Sequence, residues 1–447
     1  MNKKFTYFIL ITLFIATTAF VVHQYQGKLK GGFVAFYPLQ ERAGAAALLP
    51  EWAATKSRGA ELIRIVRESP EDTKSAVALA TVYIQEARVT GNYTYYDAAA
   101  MKYIEDVLVR EPQNFEALVL KALLQLSQHH FTEALATASA ASHINPYNAF
   151  IQGIMVDANV ELGRYDSAVS HADRMISIRP DLRSYSRIAY LREIHGDFEG
   201  AVEAMKLAVD AGSSGDEPTA WARVQLGRLY EQTGDLASAE MHYTIAGDQR
   251  PGYGYALAGL GSVELGKGNY DKSIAFYKQA AAAVNDYAFK EQLAQLFMLT
   301  GKQEQATVVL DEVIRELNKA SEEGEGSINH HADKELAYVY LLNNKPEEAL
   351  NHALAEYNRR PANIDVNEAV AWSYYKTNDA KKALPYISKA LRTGSKNPAL
   401  LCHAGLIYAK VGDTNKASQL LTAALKGSPN IDPSLKRESE AALQKLQ

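Results

Sequence analysis

The stretch LGRLYEQTGDLASA, Leu226 to Ala239, followed by Pro251 twelve residues beyond Ala239, decides how this chain folds. Leu226, Gly227 and Tyr230 share one face of a helix, because residues three and four apart stack on the same side. Gly234 supplies a turn, since glycine enters left-handed backbone without a steric penalty. Ala239, five positions on, is small enough for a second helix to approach the first closely. Pro251 lacks an amide hydrogen, so it ends that second helix and opens the next. The stretch predicts a helical hairpin, helix A then helix B.

The same phrase recurs in both directions. It returns as Gly268 with Ser273, Gly301 with Ala306 and Gly412 with Ala417, and in weaker form as Asn344 with Ala349 and Asn378 with Ala383. Upstream it is Gly196 with Ala201, Gly163 with Ala168 and His129 with Ala134. The turn positions 129, 163, 196, 234, 268, 301, 344, 378 and 412 stand 34, 33, 38, 34, 33, 43, 34 and 34 residues apart, a period of 34 with two insertions. The larger insertion carries the acidic, Gly/Ser-rich run Ala320 to Asn329, which reads as a loop. Pro146, Pro180, Pro361 and Pro429 repeat the terminator. An earlier unit with Gly91, Ala100 and Pro112 brings the total to ten, from about Glu71 to Pro429.

Leu-Gly, Tyr, Gly, Ala and Pro at this spacing resemble the tetratricopeptide repeat family, over about four fifths of the chain. The resemblance implies an all-α fold, a right-handed superhelical solenoid of about ten helix-turn-helix repeats whose concave groove is lined by helices A. One repeat cannot bury its apolar face alone, so neighbours must stack. Residues 57–429 are read as the solenoid with a leading half-repeat cap from Ser57 to Pro70, and 430–447 as a polar capping helix. The family register also implies which residues face the groove: Arg183, Arg187, Tyr190, Trp221, Arg228, Tyr255, Tyr338, Trp372 and Tyr375. Some members clamp a peptide's terminal carboxylate with residues from three helices A. Arg183 and Arg187 resemble the last pair of that clamp, but Val119, Leu123 and Ile154 stand at the earlier positions.

Before the repeats, Phe5 to Val22 carries no charge across 18 residues, roughly 27 Å of helix, enough to cross a bilayer. Residues 1–22 are read as a transmembrane signal anchor. Thr17-Thr18-Ala19 makes a poor cleavage site, though removal of residues 1–19 is the alternative. Lys3 and Lys4 are balanced by Lys28, Lys30 and Arg42. The short charged N-terminus favours a solenoid on the periplasmic side of the inner membrane, with the cytoplasmic orientation as the alternative. Residues 23–56, with Gly31-Gly32, Pro38, Gly44 and Pro50, read as a tether.

Composition narrows the function. The chain has 447 residues, and its 47 Lys+Arg against 52 Asp+Glu leave a net charge of -5, with no basic excess for a nucleic-acid backbone. One cysteine, Cys402, excludes an intrachain disulfide and a cysteine-based metal site. His129-His130 and His330-His331 are adjacent pairs whose helical side chains diverge by about 100°, poor joint ligands, and they read as exposed loop and helix start. His331 with Glu335 has the helical spacing of four, and it too reads as exposed loop and helix start rather than as a metal site. No phosphate loop, catalytic constellation, metal site or cofactor is expected. The expectation is a non-enzymatic, membrane-anchored scaffold in envelope protein assembly. It would bind a protein or peptide segment through Arg183, Arg187, Tyr190, Trp221 and Arg228, or through Tyr338, Trp372 and Tyr375. The alternative is a module that stacks glycan or envelope-polymer rings on the groove aromatics.

Overall fold

The computed structural model describes residues 37–322, 329–427 and 431–446. Among these residues are twenty-two α-helices, two short 3-10 segments (Gly44–Leu48 and Leu391–Thr393) and no strand. A leading helix, Pro50–Glu68, precedes ten helix pairs. The first pair is Thr73–Thr90 with Tyr93–Arg110, the last Pro398–Val411 with Thr414–Gly427, and Pro433–Leu446 follows.

Every expected turn position has left-handed backbone. Gly91, Gly163, Gly196, Gly234, Gly268, Gly301 and Gly412 have φ between 70° and 90°, while His129, Asn344 and Asn378 have φ of 62°, 54° and 63°. Asn and His are the non-glycine residues that tolerate this region best, which explains why three repeats dispense with glycine. Asn114, Asn148, Asp181, Asn363 and Asn397 cap helices A, their side chains accepting from amides two or three residues on. The prolines, read as stopping helix B and opening the next helix A, stand between the two: Pro112, Pro146, Pro180 and Pro361 each follow the C-terminal cap of a helix B and precede the residue that caps the next helix A, and Pro429 lies outside the described residues.

Close approach within a pair is visible at Gly227. A Cβ there would stand 2.6 Å from the Tyr243 ring of its own helix B, and a Cβ at Gly259 in the next helix A would stand 2.5 Å from the same ring. Tyr243 is 2% exposed and donates its hydroxyl to Glu231 at 2.7 Å. Ala134, Ala168, Ala201, Ala239, Ala306, Ala349, Ala383 and Ala417, the small residues of the phrase, are all fully buried.

The solenoid winds tightly enough for one superhelical turn to rest on the next. Asn363 donates from its side-chain amide to the Glu161 carbonyl at 3.0 Å, and Ile364 donates its amide to the Tyr165 hydroxyl at 3.0 Å, 199 residues earlier. Arg360 is 2% exposed and pairs with Glu161 and Glu356. Arg250, 3% exposed, reaches Glu51 at 2.6 Å, again across 199 residues. Arg392 donates to the Gly163 and Ala362 carbonyls at 2.7 and 2.6 Å, and the Asn285 amide donates to the Thr90 carbonyl at 3.3 Å. At about 34 residues per repeat, a separation of 199 means about six repeats per turn.

The part of the expected tether that falls within the described residues is packed. Tyr95 donates to the Pro38 carbonyl at 2.7 Å, Gln40 donates its amide to the Tyr96 hydroxyl at 3.0 Å, and buried Arg42 grips Glu86 at 2.9 and 2.6 Å. The leading helix starts at Pro50 rather than Ser57. These partners lie more than 40 residues away, so composition alone registers only the local Gly and Pro. The anchor reading, Phe5 to Val22, lies outside the described residues, among which no helix is long and apolar enough to cross a membrane.

Candidate functional site

Helices A converge on the inside of the superhelix. Arg88, on helix A of the first repeat, meets Glu217 of the fifth repeat's helix A (Glu217–Gln232) at 2.9 Å, and its guanidinium lies 5.7 Å from the Trp221 ring. Glu217 also accepts from the Tyr253 hydroxyl at 2.9 Å. Contacts between residues this far apart in sequence make the concave face narrow.

The fourth repeat's helix A, Leu182–Ile194, brings Arg183, Arg187 and Tyr190 to this face. Both arginines are expected to be exposed, but only Arg183 is. Arg187 is half-buried and fully engaged: it holds Asp157 at 2.9 and 2.6 Å and donates to the Gly153 and Arg183 carbonyls, each at 3.1 Å. Arg183 lies 4.8 Å over the Phe150 ring and forms no side-chain ion pair among the described residues. Burial and the Arg187 charge hold its guanidinium below the ordinary arginine value, with Asp181 opposing them. Arg228 is closed off by Glu193 at 2.7 and 2.6 Å and by Gln225 at 3.0 Å. Tyr190 is 38% exposed, and burial together with Asp365, Glu161 and Glu193 pushes its hydroxyl well above the usual range. Trp221 is half-buried beneath Arg88.

The second expected cluster is divided. Tyr338, on the eighth repeat's helix A (Asp333–Leu342), is half-buried in the groove, its hydroxyl pushed well up by burial and by Glu368, Asp365, Glu291 and Glu335. Trp372, expected as a groove anchor, is instead 7% exposed. It stacks between His403, centroids 3.9 Å apart, and Tyr375 at 4.8 Å, and it packs with Leu401, Leu406, Leu421 and Leu435. Tyr375 donates to Glu438 on the last helix at 2.8 Å. Both therefore support the C-terminal end of the solenoid. Cys402 is buried and its thiol pushed up by that burial, the packed cysteine the sequence implies.

The acidic wall opposite was not found from sequence. Burial, with Glu335 and Asp286 adding repulsion, pushes the Glu291 carboxyl up to about 8, and burial raises Asp365 to about 6. Lys334 sits among them: burial lowers its value, but Glu335, Glu161 and Asp365 outweigh this and raise it. Glu291, Glu335, Asp365 and Glu368 all lie on helices A of later repeats, so counting acids as well as aromatics in the family register would have located the wall. The groove thus holds a cation at Arg183 with no ion pair among the described residues and, on later helices A, two carboxyls, Glu291 and Asp365, whose protons burial holds more tightly than usual. Between the fifth and seventh helices A it widens into a cavity of about 430 Å³, lined by Arg228, Glu231, Tyr255, Ser262 and Phe289 and closed by Asn397–Ala399 and the start of the last helix.

The histidine pairs also sit differently from the sequence reading. His129-His130 and His330-His331 face each other across the seam between turns, ring centroids 4.4 Å apart for His129 and His330 and 3.9 Å for His130 and His331. All four are half-buried. Reading each pair within its own helix hid this, because the facing partners are 201 residues apart.

Residues 224–288 match the tetratricopeptide repeat family model. That stretch holds the segment from which the repeat was read. No curated protein matches the chain. A thermophilic tetratricopeptide repeat protein of Thermus thermophilus is similar at 20% identity and TM-score 0.36, over 46% of this chain and 98% of that one. The human IFIT1 dimer with m7Gppp-AAAA is similar at 14% identity and TM-score 0.48, over 77% and 78%. The APC/C hetero-tetramer Cut9-Hcn1 is similar at 14% identity and TM-score 0.40, over 95% and 81%. The fold is a tetratricopeptide-like solenoid.

Proposed function

We propose that the protein is a non-enzymatic scaffold, held at a membrane by residues 5–22 with its solenoid on the periplasmic side, that grips a segment of a partner protein at its concave face during envelope assembly. The observation that carries the binding half is Arg183. It is exposed, poised over Phe150, next to a second guanidinium that is already engaged, and without an ion pair among the described residues. A guanidinium in such a place matches a carboxylate bidentately, and burial beside a partner strengthens that contact. Tyr190 and Trp221 flank it with the aromatic area that interface anchors use.

Membrane placement rests on the uncharged run Phe5 to Val22 and the short Lys3-Lys4 terminus. Replacing Arg183 by Ala should reduce capture of the partner from a solubilised envelope extract at least tenfold, about 1.4 kcal/mol, with helicity unchanged. Equal capture by the variant would refute the placement of the site. Running the capture on extract treated with glycosidases separates a protein partner, which survives, from a glycan, which does not.

A further inference from the structure

One place in the seam carries metal-binding chemistry. His129 occupies the left-handed turn of the second repeat, His330 precedes the eighth, and Glu335 lies in the first turn of the eighth repeat's helix A. One ligand atom from each lies within 4.8 Å of the other two. Glu335 is 3% exposed, and its Oε2 is buried without a hydrogen-bond partner. A buried carboxylate oxygen with no hydrogen-bond partner, set beside two imidazoles, is a costly arrangement that a cation resolves. The outer contacts are those of a ligand shell. His129 Nδ1 is 3.0 Å from the His331 carbonyl, a bond that fixes the ring and, with that nitrogen donating, leaves Nε2 to ligate, and Tyr287 donates to Glu335 Oε1 at 3.4 Å.

We propose that His129, His330 and Glu335 bind a divalent ion of the zinc class, which fastens two successive turns of the superhelix together. Two imidazoles and one carboxylate suit zinc and its neighbours, whereas calcium and magnesium take oxygen ligands. Three protein ligands leave the fourth tetrahedral position to water. With bonds of about 2.0–2.1 Å, tetrahedral ligand atoms stand roughly 3.4 Å apart, so the ion draws the three groups inward by about 1 Å. Because the ligands come from segments about 200 residues apart, binding joins the turns directly. His130 and His331 stay outside the set: their rings pack against each other at a tilt of 31°, and His130 Nε2 is 2.7 Å from the Asn329 carbonyl.

The test uses the full chain stripped with EDTA and titrated with Zn2+ by calorimetry, with Co2+ as a spectroscopic probe. The expected result is one ion per chain, a visible tetrahedral Co2+ absorption, and zinc-dependent slowing of hydrogen exchange on both sides of the seam, around His129 and around His330. His330→Gln and the near-isosteric Glu335→Gln should each weaken binding at least tenfold with unchanged helicity, while His143→Gln at an exposed site should bind normally. No binding at micromolar zinc would overturn the proposal. So would binding that both seam variants retain in full, since that places the ion elsewhere. Should His330→Gln fail to fold, Glu335→Gln alone decides, as it keeps the side chain's size.

Discussion

Replacing Gly227 by Ala tests the packing rule on which the repeat rests. Helix propensity favours the change by about 1 kcal/mol, because Ala loses less backbone freedom than Gly. Against this, the new Cβ would lie 2.6 Å from the Tyr243 ring, where ordinary contact is 3.4–4 Å. Something must move by about 1 Å. The ring has little room to swing away, because it also packs close to the Gly259 backbone, where a Cβ would stand only 2.5 Å from it, and its hydroxyl is held by Glu231. Overpacking of this kind costs about 1–3 kcal/mol, so the net change should be a loss of up to about 2 kcal/mol, and Gly227→Leu should lose more. In a Tyr243→Leu background the clash disappears, and Gly227→Ala should become neutral or stabilising by up to about 1 kcal/mol. Solenoids often unfold in parts, so the assay is hydrogen exchange across residues 217–266 together with denaturant titration, compared over the four members of the cycle. Gly227→Ala that stabilises the parent protein by the full propensity gain would refute the reasoning, since the ring would then not be the constraint.

Arg360→Met should cost about 3–5 kcal/mol, the range for breaking a buried ion pair, lessened because Arg359 still pairs with Glu356. Exchange should quicken at Asn363 and Ile364, where the turns meet, and stay unchanged in the fifth repeat; an undisturbed seam would contradict the turn-on-turn contact. Glu291 has a folded value of about 8 against 4.5 unfolded, so the folded state holds its proton more tightly and stability falls as pH rises from about 4.5 through 8. Glu291→Gln should therefore raise Tm at pH 9 by about 2–4 °C relative to its effect at pH 5, and an equal effect at both would disprove the shift. Intact-mass measurement should find Met1 through Gln447 retained, and alkaline phosphatase fused after Gln447 should be active. A mature start near Phe20 refutes the anchor, and an inactive fusion the periplasmic placement.

What the residues disclose by themselves follows from the range over which they act. The turn at Gly234 and the small Ala239 act within a dozen residues, so the same signals announce ten hairpins, down to the left-handed turns at His129, Asn344 and Asn378 where glycine is missing. Pitch works over a different range. A small rotation per repeat, summed over about six repeats, decides whether Glu161 meets Arg360 or faces water, and no 34-residue window contains that sum. The pitch leaves its trace in residues that break the repeat. Arg179, Arg250 and Arg360 all stand just before a proline at the end of a helix B, yet they differ in burial. Arg250 and Arg360 have an earlier turn to dock on and are 3% and 2% exposed, while the Arg179 side chain pairs with nearby Asp181 and is 74% exposed. A charged residue at a position whose equivalents elsewhere are unlike it, matched by an opposite charge or a second histidine pair about six repeats away, is the mark of contact between turns. Arg183 obeys the same logic in reverse. Arg187 and Arg228 find their carboxylates within one repeat of themselves, and the guanidinium that finds none is the one a partner can use.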